Sequence, residues 1–193
     1  MKGFGLSERG TMNTMSFSAH ALPLAVARLV GAIDDKRDLG AIAAALERLV
    51  ADDLWLPADL RLPWPGGYRR EPLFEAEDGR LSVGCFVWGP GQATPIHDHK
   101  CWGVMAVLSG CLRLESFTLD ENGLLITGDT RNLTPGQSSW VDPADGDIHR
   151  VGSVGGTAIS IHVYGTRFAD VSRTQYDSAR IREAWSASSR TSP

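Results

Sequence analysis

The feature that most constrains the fold is a series of short alternating segments between residues 80 and 164, with no helical pattern between them. In the first segment Leu81, Val83 and Cys85 alternate with their neighbours, and residues 157–164 alternate in the same way. Turns separate the segments at Gly89-Pro90-Gly91, Ser109-Gly110, Glu121-Asn122-Gly123, Pro135-Gly136 and Asp145-Gly146. This pattern predicts an antiparallel β-sandwich or a small, jelly-roll-like β-barrel.

The N-terminal part has a different pattern. Apolar residues recur at helical spacing from Leu22 to Ile33 and again from Leu39 to Val50, and Asp38 is placed to cap the second helix. The sequence therefore predicts a mainly β protein with N-terminal α-helices. Its single domain comprises a disordered N-terminus at 1–18, a helical part at 19–66, a barrel at 67–175 and a C-terminal tail at 176–193.

Composition excludes several classes of partner. The 193 residues, 42% of them apolar, suffice for one well-buried domain. A net charge of −4 gives no basic surface, so we expect no nucleic-acid partner. No apolar run approaches the roughly 20 residues that span a bilayer, and the N-terminus lacks a secretory-signal pattern, so we expect no membrane association. Three cysteines without a CxxC pair suit a reducing compartment, and we expect a cytoplasmic protein.

Candidate metal ligands occur in two places, at His97-Asp98-His99 and at His149. Side chains two residues apart on a strand point to the same face, so His97 and His99 can direct both imidazoles to one point. Neutral imidazole is a favoured ligand of iron, copper, zinc and nickel. A lone HxH pair is more often an exposed strand end, but His149 follows a turn region from which a return strand can supply a third ligand. The pattern favours a three-histidine metal site.

The strand that ends at Tyr164 carries polar groups on one face and aliphatic groups on the other. Ser160, His162 and Tyr164 share the polar face. One interpretation puts the aliphatic face in the core and the polar face in water. The other has the polar face lining the barrel interior as a hydrogen-bonded relay. We favour the relay because three candidate metal ligands lie nearby.

These spacings resemble the cupin superfamily. The residues that match the first cupin motif are Gly91, His97, His99 and Gly110. Gly103 stands where many cupins have a ligating glutamate, and the segment around His149 approximates the second motif. A ligand set of three histidines without the glutamate resembles the thiol dioxygenases of the cysteine dioxygenase family. The resemblance extends over about residues 54–165.

The resemblance implies an enzyme that adds both atoms of O2 to the sulfur of L-cysteine to give cysteine sulfinic acid. The implied iron(II) ligands are His97, His99 and His149. The implied catalytic residues are Ser160, His162 and Tyr164. Mammalian-type members have a cysteine that crosslinks to the tyrosine, but Gly103 occupies that position here, so we expect Tyr164 to be uncrosslinked.

Substrate choice depends, in this resemblance, on Tyr68-Arg69-Arg70. The position that aligns with Arg70 is arginine in enzymes for cysteine and glutamine in enzymes for 3-mercaptopropionate. A guanidinium can bind a carboxylate through two parallel hydrogen bonds. We therefore predict Arg70 and Tyr68 as substrate-binding residues, although a slip of one residue would make Arg69 the relevant arginine. Trp102-Gly103 looks more like the mercaptopropionate branch, so 3-mercaptopropionate is the alternative substrate.

The resemblance to cupins leaves two other functional classes open for this chain. One is a non-catalytic cupin that binds a metal or a metabolite, and the other is a zinc- or manganese-dependent isomerase. A binding protein has no need of an oriented phenol such as that of Tyr164, and the glutamate ligand usual in the isomerases is absent. Fold does not fix function among cupins, so the choice depends on the site residues. The sequence indicates no oligomeric state.

Overall fold

The computed structural model describes residues 18–33, 38–176 and 181–186. The helices are α1 (Ser18–Gly31) and α2 (Leu39–Val50). The strands are β1 (Arg69–Glu75), β2 (Ser82–Trp88), β3 (Ile96–His97), β4 (Gly103–Ser109), β5 (Leu112–Leu119), β6 (Leu125–Leu133), β7 (Ser138–Val141), β8 (His149–Ser153), β9 (Ala158–Tyr164), β10 (Ser172–Tyr176) and β11 (Ile181–Ser186). Within the described residues, no helix has the length and apolar character required to cross a membrane.

The strands form two antiparallel sheets. The five-stranded sheet has the order β1-β2-β9-β4-β7, and the six-stranded sheet has the order β11-β10-β3-β8-β5-β6. Most neighbouring strands are distant in sequence, so the chain crosses repeatedly from one sheet to the other, as in a jelly roll. The mainly β, antiparallel fold predicted from the turn spacing is therefore confirmed.

Helix α2 covers the outer face of the five-stranded sheet. Asp38 caps the helix as predicted, because its Oδ1 accepts a hydrogen bond from the Ala41 N–H at 3.0 Å. The apolar face of α2 includes Ile42 and Leu46, which are buried in one cluster with Ile161 from the central strand β9. The helix thereby shields one side of this sheet and leaves the other side to face the second sheet.

Both faces of β9 are buried, and this decides between the two interpretations of its polar face. Its aliphatic residues pack toward the helices, whereas Ser160, His162 and Tyr164 are 0%, 7% and 3% exposed. Tyr164 belongs to the second apolar cluster, which lies between the sheets. The polar face therefore lines the interior of the barrel.

The strand that carries the histidine pair is shorter than the sequence suggested. β3 ends at His97, so His99 lies beyond it. The backbone nevertheless stays beside β10, because the Asp98 N–H donates to the Thr174 carbonyl at 3.1 Å and the Lys100 N–H donates to the Ser172 carbonyl at 3.2 Å. This continued pairing keeps the segment extended although it leaves the regular ladder.

The C-terminal boundary also differs. The sequence analysis assigns residues 176–193 to a tail, whereas Ile181–Ser186 forms β11 and pairs with β10. The segment lacks clear apolar alternation, so its strand conformation depends on pairing with the sheet edge and is not evident from local sequence. The predicted disorder at 1–18 lies outside the described residues, apart from Ser18, which begins α1.

Two turn glycines with nearly the same backbone conformation predict different sensitivities to substitution. Gly110 has φ of 76° and Gly123 has φ of 75°. A Cβ at Gly110 would lie 2.7 Å from Ala158 Cα, whereas a Cβ at Gly123 would meet nothing within 4 Å. Gly123→Ala should cost about 1–2 kcal/mol of unfolding free energy from the left-handed conformation alone. Gly110→Ala should cost a further 1–3 kcal/mol, roughly, because backbone must move.

Chemical denaturation of both variants measures this difference. Gly123→Ala is the matched control, since it introduces the same methyl group at nearly the same φ. Equal unfolding free energies for the two variants would contradict the close approach of Gly110 to β9.

Candidate metal centre

Strand register brings the first two candidate ligands together. In the antiparallel pair of β3 and β8, His97 lies directly opposite His149. Directly opposed residues have closely spaced Cβ atoms, so the two imidazoles leave the sheet side by side. His99 follows two residues later, and its ring also reaches this point. His97 and His99 are neighbours in the same segment, whereas His149 lies 50 residues beyond His99 in sequence.

The three imidazoles form one compact cluster. Ring centroids are 4.8 Å apart for His97 and His99, 4.6 Å for His97 and His149, and 4.9 Å for His99 and His149. One ring nitrogen from each histidine lies within 4.8 Å of the other two. His97 and His99 are buried and His149 is partly exposed. This geometry allows all three to bind a single metal ion.

Burial keeps these histidines neutral, which is the state that binds metal. Desolvation lowers the pKa of His97 well below its usual value, and the neighbouring His149 and Arg173 lower it further. Desolvation is also the largest cause for His99, whose pKa is lowered to about 3, and for His149, whose pKa is lowered well below its usual value. The lone pairs therefore stay available at neutral pH.

Neighbouring groups fix which ring nitrogen can bind metal. His97 Nδ1 lies 2.9 Å from the Pro95 carbonyl, and because a carbonyl only accepts, Nδ1 carries the proton and Nε2 carries the lone pair. His99 Nδ1 lies 3.4 Å from Asp147 Oδ2, and that negative charge favours the same tautomer. The Asp147 carboxylate also accepts the His99 backbone N–H at 2.5 Å. Asp147 thus orients both the ring and the backbone of His99.

Asp98, between the two histidines, ties the site to β10. Its Oδ1 accepts the Thr174 N–H at 2.6 Å, and its Oδ2 accepts the Tyr176 hydroxyl at 2.9 Å. Burial raises the pKa of Asp98, but the hydrogen bonds from Thr174, Lys100 and Tyr176 outweigh it and the net pKa is lowered. The carboxylate is therefore charged at neutral pH and holds the histidine segment against β10.

A chain of hydrogen bonds runs along the facing strand β9. Trp88 Nε1 donates to Ser160 Oγ at 3.0 Å, and Ser160 Oγ lies 2.8 Å from His162 Nε2. His162 Nδ1 lies 3.1 Å from the Tyr164 hydroxyl. The His162 ring also stacks on Phe86, with centroids 3.9 Å apart. The chain ends beside the metal cluster, because the Tyr164 and His99 rings are 6.3 Å apart.

Burial sets the protonation of this chain as well. Desolvation lowers the pKa of His162 well below its usual value, and the positive charges of Arg173 and Arg70 lower it further. Desolvation raises the pKa of Tyr164, and this effect exceeds the opposing attraction of Arg173. At neutral pH the site therefore presents a neutral imidazole and a protonated phenol.

Arg173 is the functional candidate that sequence analysis missed. Its side chain is 2% exposed, it lines the cavity that also contains the three histidines, and its Nη2 donates to the Tyr164 hydroxyl at 3.2 Å. The only local signal is that Arg173 alternates with buried Val171 just after the last strand predicted from sequence. Its place beside the site depends on the pairing of β10 with β3, which sequence alone does not reveal.

The structure separates the two adjacent arginines of β1. Arg69 forms an ion pair with Glu71 at 2.5 Å and donates to the Asp59 carbonyl at 2.7 Å. Arg70 points to the other face, where its guanidinium carbon lies 5.3 Å from the Phe86 centroid and 5.0 Å from the Phe168 centroid. Arg70, not Arg69, is therefore on the side of the metal cluster.

Neither predicted substrate-binding residue is in the cavity lining that the described residues define. Arg70 packs against Phe86, and Tyr68 stacks on Trp88 with centroids 4.6 Å apart. Burial lowers the pKa of Arg70, and the like charge of Arg173 lowers it further. The two guanidiniums therefore act on the same region, with Arg173 in the cavity wall and Arg70 packed against Phe86 and Phe168.

The absence of a side chain at Gly103 gives Tyr164 its position. The two residues are paired in the register of β4 and β9. A Cβ at Gly103 would lie 3.0 Å from Tyr164 Cδ1, so any larger residue would press on the phenol ring. Cys101 is two residues away, and burial raises its pKa to about 11, which keeps the thiol protonated.

The donor set fits a catalytic metal. Three neutral imidazoles suit iron, zinc, copper or nickel, and they leave coordination positions open on the cavity side. Among the described residues the cluster contains no carboxylate ligand. A bound divalent ion would therefore keep its full charge toward a substrate in the cavity.

Two antiparallel sheets enclosing a three-histidine cluster define this protein as a cupin. Residues 66–178 match the family described as cysteine dioxygenase type I. This match covers more than half of the chain, and the chain belongs to that family.

Several solved structures share the fold. A protein of Thermus thermophilus is 23% identical and matches over 60% of this chain and 96% of that chain, with a TM-score of 0.43. A Klebsiella pneumoniae protein with a double-stranded beta-helix domain is 19% identical over 65% and 99%, with a TM-score of 0.49. A cupin superfamily protein of Desulfitobacterium hafniense is 15% identical over 60% and 93%, with a TM-score of 0.45. At these identities the likeness concerns the fold alone.

The position of the Asp147 carboxylate beside His99 predicts that its charge contributes to metal affinity. Asp147→Asn keeps the shape of the side chain but removes the negative charge beside His99 Nδ1, so the favoured tautomer and ring orientation are weakened. We expect metal affinity to fall about 10–100-fold, as measured by competition with a chromogenic chelator. Asp145→Asn is the matched control, because Asp145 is exposed in the same loop. Equal affinities for both variants and wild type would contradict the role of Asp147.

Proposed function

We propose that this protein is an iron(II)-dependent thiol dioxygenase. The observation that carries this proposal is the Tyr164 phenol on one sheet, protonated and facing three neutral imidazoles on the other. A protein that only stores or senses metal requires the imidazoles but gains nothing from a buried, oriented phenol. Membership of the cysteine dioxygenase type I family supports the same reaction class.

A thiol and O2 are sufficient to balance the atoms and electrons of the reaction. Both oxygen atoms bond to sulfur, which loses four electrons, and O2 gains the same four. The thiol becomes a sulfinic acid, and no external reductant is consumed. Bound iron would supply the Lewis acidity that favours the thiolate and the redox chemistry that activates O2.

The residues of this chain exclude water from the cavity, orient the Tyr164 phenol and donate a hydrogen bond to the reacting atoms. The apolar lining, which includes Met105, Leu114 and Val151, excludes water from the reacting sulfur. Arg173 holds the phenol oxygen from one side while His162 holds it from the other. The Tyr164 hydroxyl can then donate a hydrogen bond to the developing negative charge on oxygen or sulfur.

For the substrate we propose a small thiol that carries a carboxylate. A buried guanidinium in the cavity wall, with a second one packed against Phe86 nearby, favours an anionic group. L-cysteine is our first candidate, because Arg70 matches the position that is arginine in enzymes for cysteine.

A second candidate is 3-mercaptopropionate, and one observation favours it. Of the described residues that line the cavity, none is an aspartate or a glutamate. These lining residues therefore offer no countercharge for the ammonium group of cysteine, whereas 3-mercaptopropionate lacks that group.

Oxygen consumption tests the reaction class. Iron-loaded protein should consume O2 in a 1:1 ratio with thiol and form the sulfinate. Tyr164→Phe should retain iron but lose about 100-fold or more in kcat, within the range for general acid catalysis. His99→Ala, which lacks one of the three metal ligands, serves as the control that does not retain iron. Stoichiometric iron without thiol-dependent O2 uptake would instead indicate a non-catalytic metal-binding cupin.

The two arginines give separate predictions for substrate binding. Arg173→Gln should raise KM for both thiols, since loss of a charged hydrogen bond costs about 1.5–3 kcal/mol. Arg70→Gln should lower kcat/KM for cysteine more than for 3-mercaptopropionate. Arg69→Gln is the matched control on the same strand and should leave both values within about twofold, because Arg69 points to the opposite face of β1, where it pairs with Glu71.

Steady-state kinetics with both thiols distinguish the cases. A wild-type protein that strongly prefers 3-mercaptopropionate would contradict the assignment to cysteine while leaving the reaction class intact. Equal kcat/KM values for Arg70→Gln and Arg69→Gln would show that Arg70 takes no part in substrate binding.

A further inference from the structure

Trp88 is a buried polar anchor that the proposed reaction does not by itself require. Its side chain is 1% exposed and belongs to the apolar cluster between the sheets. Its indole N–H donates to Ser160 Oγ at 3.0 Å. Indole nitrogen is a donor only, so chemistry alone fixes the direction of this hydrogen bond.

The direction of every later hydrogen bond follows from this anchor. Ser160 Oγ accepts from Trp88 and still has its own proton to donate. Among the described residues, Ser160 Oγ makes hydrogen bonds only with Trp88 and His162. The serine proton therefore goes to His162 Nε2, at 2.8 Å. A neutral His162 that accepts at Nε2 carries its proton on Nδ1 and donates it to the Tyr164 oxygen, at 3.1 Å.

The opposite direction leaves a buried proton without an acceptor. If His162 Nε2 carried the proton, Ser160 Oγ would accept from both Trp88 and His162, and its own proton would point into a fully buried site. Such an unsatisfied donor is costly, because it has lost its hydrogen bonds to water. The two directions are therefore unequal. The Trp88 N–H contributes to this difference because it fills the other side of Ser160 Oγ with a donor and offers no acceptor for the serine proton, which leaves His162 as the acceptor.

Tyr164 is then a double acceptor. Its oxygen accepts from His162 Nδ1 at 3.1 Å and from Arg173 Nη2 at 3.2 Å. Two donors occupy the acceptor positions of the phenol oxygen, so the hydroxyl proton must point away from both. The remaining direction is toward the cavity that the three histidines line.

We infer that Trp88 is a positioning residue, which sets the direction of the Ser160–His162–Tyr164 chain so that the Tyr164 proton points into the cavity. Trp88 acts on Tyr164 through Ser160 and His162, and its ring also forms part of the cavity wall. The consequence for catalysis rests on the proposed function, but the direction of the hydrogen bonds does not.

The tautomer of His162 reports that direction without any measurement of activity. In protein labelled with ¹⁵N-histidine and loaded with diamagnetic zinc, nitrogen chemical shifts distinguish a protonated from an unprotonated ring nitrogen. The His162 signals are identified by their loss in His162→Gln. We expect wild-type His162 to be protonated at Nδ1 and unprotonated at Nε2. Protonation at Nε2 in the wild type would overturn the inference.

Trp88→Phe tests the anchor, and Trp55→Phe is its matched control. Trp55 is also buried, and its indole N–H donates to the Leu49 carbonyl at 3.0 Å, in the other apolar cluster. Both variants lose one buried indole hydrogen bond, but only Trp88→Phe removes the anchor. We expect the Nε2-protonated form of His162 to appear in Trp88→Phe and to be absent from Trp55→Phe. An unchanged tautomer in Trp88→Phe would overturn the role of Trp88.

A second variant covers the case in which Trp88→Phe fails to fold. Replacement of Trp88 by benzothienylalanine keeps the bicyclic shape and removes only the N–H, and the same tautomer change is expected. Where the wild type oxidises a thiol, kcat should fall about tenfold or more, with KM little changed. Absence of thiol oxidation in the wild type would contradict the proposed function, while the tautomer measurement would still decide the inference.

Discussion

The pairing of β3 with β8 is the interaction on which the site depends. It sets His97 directly opposite His149, and the extended segment beyond β3 then brings His99 to the same point. On the other side of β3, pairing with β10 positions Arg173. One short strand therefore fixes two metal ligands and the arginine that contacts Tyr164. Two carboxylates stabilise this arrangement. Asp98 accepts the backbone N–H of Thr174, and Asp147 accepts the backbone N–H of His99.

Burial of so many polar groups is tolerated because most of them are neutral. Desolvation suppresses the charge on the histidines and keeps the phenol of Tyr164 protonated. The permanent positive charges of Arg70 and Arg173 remain near the cavity. A bound metal ion would add further positive charge, which would favour an anionic ligand over a neutral one. The same low-polarity surroundings strengthen any hydrogen bond that Tyr164 makes to a reacting atom.

Local sequence patterns predicted the features that depend on local geometry. Alternation and turn glycines indicated the antiparallel fold, and Asp38 indicated the start of α2. Spacing also selected the three histidines and the polar face of β9, because side chains two apart share a face. What could not be predicted depends on contacts between distant segments. Alternation with Val171 was the only local signal for Arg173, since its place beside the site follows from β10 pairing with β3.

Two other residues show the same limit. Local sequence gave no indication of the role of Trp88, because its hydrogen bond to Ser160 joins positions 72 residues apart. Arg70 was selected by resemblance, and its packing against Phe86 and Phe168 could not be read from alternation along β1. Strand patterns thus identify which residues face inward, but not how far from the reacting atoms each one lies.

Isotope labelling tests the central claim most directly. Iron-loaded protein is supplied with a carboxylate-bearing thiol under ¹⁸O2 in unlabelled water, and the product is analysed by mass spectrometry. A thiol dioxygenase places both atoms of one O2 molecule on sulfur, so the account predicts a sulfinate in which both new oxygen atoms are labelled. A product with one labelled oxygen, or with none, would contradict it.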